Sequence, residues 1–201
     1  MLLVALSMFG VFFFVSLYMQ NILGYSAIET GAAFLPMTVL IILVAPVAGK
    51  TTDRAGSRVL MTVGMLCIAG QLFSFSRLGA DATFWNLLPG LMVGGVGMAL
   101  TMTPGAAAAT RAVPVDKAGV GSAVLNTFRQ VGGTMGIAVM GAIMAGAAGG
   151  VRTVDGFMNG FHNALLVAAF IALAGAIVAF VLVRPHDLEQ AQSPEAHELA
   201  A

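Results

Sequence analysis

Few residues in this chain have side chains that can do chemistry, and those few are unevenly placed. The densest group is Gly49-Lys50-Thr51-Thr52-Asp53-Arg54-Ala55-Gly56-Ser57-Arg58, where three of the nine basic residues and one acid share ten positions. Arg129 stands alone between apolar stretches, flanked by Asn126 and Gln130. Arg111, Glu29 and Asp81 sit at the edges of other apolar runs. Charges placed like this can pair with one another or carry a proton. Nothing supports covalent chemistry. Ser122 has no Gly-x-Ser-Gly setting, and His162 lies at the edge of a run, so an intramembrane protease is excluded. The single cysteine, Cys67, has no internal disulfide partner and no nearby His or acid for a metal, and reads as a small apolar residue. The chain reads as no enzyme, with no cofactor and no metal.

The elements that position these charges are membrane spans. Hydrophobic residues make up 59% of the chain, charged residues 9%, and mean hydropathy is +0.95. Soluble proteins carry about a quarter charged residues. Nine basic and nine acidic residues cancel, which leaves no electrostatic footprint for nucleic acid. The solvent is therefore the lipid bilayer. Six segments are long and apolar enough to cross it, at about 1–20, 29–48, 59–77, 85–109, 117–147 and 160–183. Lys50, Arg54, Arg58, Arg111, Lys117 and Arg184 fall on one side of this arrangement, and only Arg77 and Arg152 on the other. The positive-inside bias makes the first side, with both termini, cytoplasmic in the cell membrane. Residues 184–201, with Glu189, Glu195 and Glu198 among small and polar residues, read as a disordered tail. The start, Met1-Leu2-Leu3-Val4, is apolar at once, without a basic leader or cleavage-like site, which is expected of a piece of something longer.

Within the spans, several local signals stand out. Gly24 is a helix stop, and Ser26-Ala27-Ile28-Glu29 has capping-box spacing, so Glu29 reads as a cap at the outer surface before it reads as a proton carrier. Pro36 and Pro46 should bend the second span. The third looks plain and peripheral, with Gln71, Ser74 and Ser76 toward its outer end. The fourth carries small residues at Gly90, Gly94, Gly97, Thr101 and Gly105, the spacing that lets helix backbones approach in lipid, and Pro104 could act as a hinge at its inner end. Gly132, Gly133 and Gly136 do the same for the fifth. Arg129 lies thirteen positions past Asp116 in that span, about 20 Å along a helix axis. Two readings of it stand: a side chain snorkelling to the inner interface, or a cation facing a central cavity or gate together with Asn126 and Gln130. The sixth span is uniformly apolar and reads as lipid-facing, with His162 at its outer start.

The ten-residue group resembles the cytoplasmic loop signature of the major facilitator superfamily, G-x-x-x-D-R/K-x-G-R-R/K. Gly49, Asp53, Arg54, Gly56 and Arg58 match, and Ser57 departs from the first basic position of the closing pair, as in the degenerate second copy of the motif. Tyr18-Met19-Gln20-Asn21, Leu35-Pro36, Pro46-Val47-Ala48-Gly49 and Asn126-Thr127-Phe128-Arg129-Gln130-x-Gly132-Gly133-x-x-Gly136 follow in the order seen in drug:proton antiporters of fourteen helices. Over 1–183 the chain is similar to the last six helices of such a multidrug efflux permease. The resemblance implies an all-α fold of two inverted three-helix repeats, rocking against an N-terminal half. It implies that spans one and four line a cavity, that two and five face the other half, and that three and six face lipid. It also implies a latch in which Asp53 binds an arginine and the positive end of a helix from the other half. Arg111 is the first choice of partner and Arg129 the second. Phe12, Ser16 and Met19, with Met98, Thr101 and Met102, are the expected wall for a hydrophobic small molecule. No Asp or Glu lies inside a span, so the proton-coupling acid is expected in the missing half. A non-transporting remnant and a homodimer of six-helix halves remain as alternatives.

Overall fold

The computed structural model describes residues 1–111, 113–114, 117–147 and 153–183, with the side chains of Asp53, Thr110, Arg111 and Ala147 outside that description. Asp116, Arg152, Arg184 and the expected tail also lie outside the described residues. The chain is all-helical, without a strand among the described residues: α1 (Leu2–Asn21), α2 (Ala27–Ala33), α3 (Leu35–Phe75), α4 (Phe84–Arg111), α5 (Ala118–Ala147) and α6 (Val154–Leu182). By length and composition, five stretches can cross a bilayer: Leu2–Asn21, Ala27–Thr52, Arg54–Phe75, Phe84–Ala109 and Val154–Leu182. The sixth expected span falls on α5, whose 30 residues are also long enough to cross.

Helix ends follow from local chemistry. Gly24, at φ 72°, takes the left-handed conformation that closes α1. The Ser26 hydroxyl accepts from the Glu29 amide at 3.2 Å, and Glu29 accepts from the Ser26 amide at 2.8 Å, a complete capping box. Pro36 does not bend a running helix. It occupies the first turn of α3, where its missing N–H is tolerated, and the chain breaks before it at Phe34. The charged stretch is also less of a turn than expected. Helix continues on both sides, and only Gly56 leaves helical geometry, at φ 79° and ψ 153°. That region is essentially reserved for glycine, so Gly56 alone makes the corner between the two arms of α3. Pro46, Pro89 and Pro104 lie inside helices that run on past them. The last span begins earlier than about 160: Thr153 accepts from the Gly156 amide at 3.1 Å and starts α6 at Val154.

Packing corrects the expectation that the third span is peripheral. The second arm of α3 lies antiparallel to α4 with their residues in register. Phe75 fills the space over Gly90, Gln71 over Gly94, Cys67 over Gly97, and Thr101 the space over Gly64. Each glycine receives a larger side chain from the facing helix, the way apposed backbones gain dispersion contact in lipid. The same device recurs elsewhere. Gly132 and Gly136 of α5 lie against the Leu2 and Leu6 carbonyls of α1, and Gly95 of α4 against the Met37 carbonyl of α3. Each triplet thus places its first helix against the second helix of the other.

The last helix is not lipid-facing all round. Its inner face is Ala164, Ala168, Ala172, Gly175, Ala176 and Ala179, while Phe170, Ile177, Phe180, Val181 and Leu182 point outward. From Ala168 onward α6 is sorted by size, while nearer its start the large Met158, Phe161 and Leu165 are buried. At the loop between α3 and α4, the buried Tyr18 stacks on Phe161 at 4.9 Å and donates to the Gly79 carbonyl at 2.5 Å. His162 bonds the neighbouring Leu78 carbonyl at 2.7 Å, so α1 and α6 together pin this loop. A Cβ at Gly136 would overlap the Leu6 carbonyl, whereas one at Gly146 meets nothing within 4 Å. Gly136→Ala should therefore lower thermal unfolding in detergent by about 1–3 kcal/mol, and Gly146→Ala should leave it unchanged or raise it.

Candidate functional site

Two clefts open between α1 and α4, one on each side of Met8. The first, about 310 Å³, is walled by Met1, Val4, Ala5 and Met8 of α1, Met102 and Ala106 of α4, and Leu125 and Arg129 of α5. The second, about 290 Å³, is walled by Met8, Val11 and Phe12 of α1, Phe34 and Met37 at the α2–α3 junction, Ile68 and Gln71 of the second arm of α3, and Gly94 and Met98 of α4. Both are apolar with one polar group each. That is the usual composition of a small-molecule site.

Arg129 lines the first cleft and is half-buried. Its Nη2 lies 4.0 Å from the Met102 sulfur, its one polar partner among the described residues. A guanidinium at membrane depth without a carboxylate is tolerable where it faces a wet cavity. Its neighbours Asn126 and Gln130 are exposed on other faces of α5 and line neither cleft.

The expected substrate wall divides. Phe12 and Met98 line the second cleft and Met102 the first. Met19 and Thr101 do not belong to either: both are fully buried in helix packing, and the Thr101 hydroxyl bonds the Gly97 carbonyl of its own helix at 2.7 Å. Ser16 likewise spends its hydroxyl on the Phe12 carbonyl, at 2.7 Å. Gln71 was missed. Hydropathy placed it at the end of a peripheral span, yet it is only 3% exposed and faces α4. A signal was present in the spacing: Gly64, Cys67, Gln71 and Phe75 form one helical stripe facing the glycine ridge of α4.

At the corner end, Arg54 is exposed and Arg58 is half-buried, its guanidinium 4.0 Å above the outward-facing Phe180 ring of α6. A Cβ added at Gly49 would meet Thr103 of α4 only at ordinary contact distance. The departure at Ser57 has a physical reason: the position is 1% exposed, and a basic side chain there would have to bury its charge. Asp53 and Arg111, the expected latch pair, both have side chains outside the described residues.

Helices of membrane length around apolar clefts define a polytopic membrane protein. The family model described as Major Facilitator Superfamily matches residues 1–137, and the chain belongs to that family of carriers. It is 32% identical over 191 residues to the Puromycin resistance protein pur8 of Streptomyces alboniger, covering 89% of this chain and 38% of that protein. It is 37% identical over 156 residues to the Tetracenomycin C resistance and export protein of Streptomyces glaucescens, covering 75% of this chain and 28% of the other. With the Multidrug resistance protein Stp of Mycobacterium tuberculosis, identity is 33% over 141 residues, covering 69% of this chain and 26% of the other. The chain thus spans about a quarter to two-fifths of the length of these relatives.

An unpaired cation costs solvation that no described group returns. Arg129→Met should raise thermal unfolding of the purified chain by about 1–2 kcal/mol. A fall would show instead that the guanidinium holds α4 and α5 together.

Proposed function

We propose that this chain is one six-helix lobe of a secondary transporter that exports hydrophobic small molecules by alternating access, working against a second lobe. The observation that carries the reading is an unpartnered face. Only 17% of the Ala27–Thr52 span is buried against the rest of the chain, compared with 56% of Leu2–Asn21. Leu35, Val39, Ile42, Leu43 and Val47 stand outward there, and Val120, Val124, Phe128 and Val131 do so on α5. These are the second helices of the two triplets, the pair on which a second lobe would seat. Relatives named for resistance to or export of puromycin and tetracenomycin C support a cargo of hydrophobic antibiotics.

The positive-inside bias puts the Gly56 corner in the cytoplasm, with both termini. There Asp53 would close the latch, with Arg111 as its first partner and Arg129 as its second. Proton antiport needs an acid at membrane depth whose pKa burial can raise. Among the described residues, Glu29 is committed to its cap and Asp155 lies in the first turn of α6. Asp81 is exposed in the turn before α4, and these positions support a coupling acid in the second lobe.

The test is puromycin accumulation in cells expressing the full reading frame that contains this chain. Accumulation should fall severalfold and recover with a protonophore. Asp53→Asn should remove most of the export at unchanged membrane abundance, and Asp53→Arg combined with Arg111→Asp should restore part of it. Normal export by Asp53→Asn sinks the latch, and unchanged accumulation with the native frame sinks the exporter.

A further inference from the structure

The outward face of the second arm of α3 ends in an arginine stacked on a phenylalanine at each side of the membrane. The Arg58 guanidinium lies 4.0 Å above the Phe180 ring of α6, and the Arg77 guanidinium 4.6 Å above the Phe73 ring. Between them run Val59, Val63, Leu66 and Phe73, all exposed and all apolar. The two arginines are nineteen positions apart, about 28 Å at the rise of a helix. The hydrocarbon core of a bilayer is about 30 Å thick, so both guanidiniums stand at the level of the lipid phosphates.

The two ends differ in how the cation is held. Arg77 is exposed, whereas Arg58 is half-buried, with its Nε enclosed and without a hydrogen-bond partner. Phe180 fixes the plane of the Arg58 group and is itself 52% exposed, so the stack lies on the lipid-covered surface where α3 meets α6. The terminal nitrogens of Arg58 are not enclosed, and no carboxylate among the described residues pairs with them. A planar fork held in place with its outer N–H groups free matches a phosphate. Charge is also in surplus here. Lys50 and Arg54 are exposed, and residues 49–58 hold three bases against one acid. Such a surplus attracts an anionic headgroup and repels the ammonium of a zwitterionic one.

We propose that Arg58 and Phe180 form a headgroup site for one anionic phospholipid, its phosphate on the Arg58 terminal nitrogens and an acyl chain along Val59, Val63 and Leu66. The site requires only that the chain spans a bilayer and is independent of export. The experiment offers the purified protein in detergent equal amounts of phosphatidylglycerol and phosphatidylcholine with identical acyl chains, and counts the lipid retained by native mass spectrometry. Phosphatidylglycerol should be retained about fivefold over phosphatidylcholine. In Arg58→Gln the ratio should fall to about one, and Arg77→Gln should leave it unchanged. Phe180→Leu keeps the charge, removes the stack and should lower the ratio by about half; it serves if Arg58→Gln does not fold. No preference in the native protein, or a preference preserved in these two α3–α6 variants, overturns the site. An equal fall in Arg54→Gln also overturns it, because attraction would then belong to the whole basic stretch. Displacement of phosphatidylglycerol by millimolar inorganic phosphate assigns the fork to a free anion and overturns the lipid as its occupant. The product of the full reading frame should keep the preference; its loss there would give this face to the second lobe and overturn the proposal.

Discussion

The fold depends on helices coming close where side chains are missing. Lipid tails are as apolar as leucine, so expulsion from water does not press these helices together. What remains is contact, and contact is gained where Gly90, Gly94 and Gly97 of α4 receive Phe75, Gln71 and Cys67, and where Gly132 and Gly136 of α5 meet the backbone of α1. The alanine face of α6 extends the principle to the third helix of its triplet. Large residues fill the core between these close approaches, with Tyr18, Phe75, Phe161, Leu72 and Leu91 fully buried.

Polar groups follow from the same solvent. Those at helix ends are satisfied locally, as in the Ser26–Glu29 box and the Thr153 cap. Those just inside the ends are tied to loop carbonyls, as with Tyr18 on Gly79 and His162 on Leu78. Among the described residues, Ser7 Oγ, Ser57 Oγ, Arg58 Nε and Gln71 Nε2 are buried with neither arrangement, and Arg129 has only the Met102 sulfur.

Hydropathy made the spans legible because lipid demands it, and the Ser26–Glu29 spacing located a helix start because capping is local. The charged stretch was readable as a connection between spans, but not that helix would continue on both sides of it with Gly56 alone leaving helical geometry there. The second arm of α3 was misjudged as peripheral for a related reason. Hydropathy records what a face can bear and says nothing of whether it meets lipid or another helix. The clefts were the least legible feature. Phe12 and Met98 line a cleft, whereas helix rotation turns Thr101 and Met19 into the packing, which residue type alone does not reveal. Gln71 required knowing that Gly94 would lie opposite.

The exchange of helices between triplets also governs how the lobe is made. The groove on α1 that receives α5 lies at Leu2 and Leu6, and the glycines that fill it are Gly132 and Gly136. During synthesis α1 must therefore wait in the bilayer, with its groove empty, until more than half of the chain has followed it. Neither triplet can complete its packing alone, so assembly comes late and all at once. A chain stalled or cut between α4 and α5 would leave an adhesive helix face exposed to whatever membrane protein passes, which makes this junction the natural point for quality control to act.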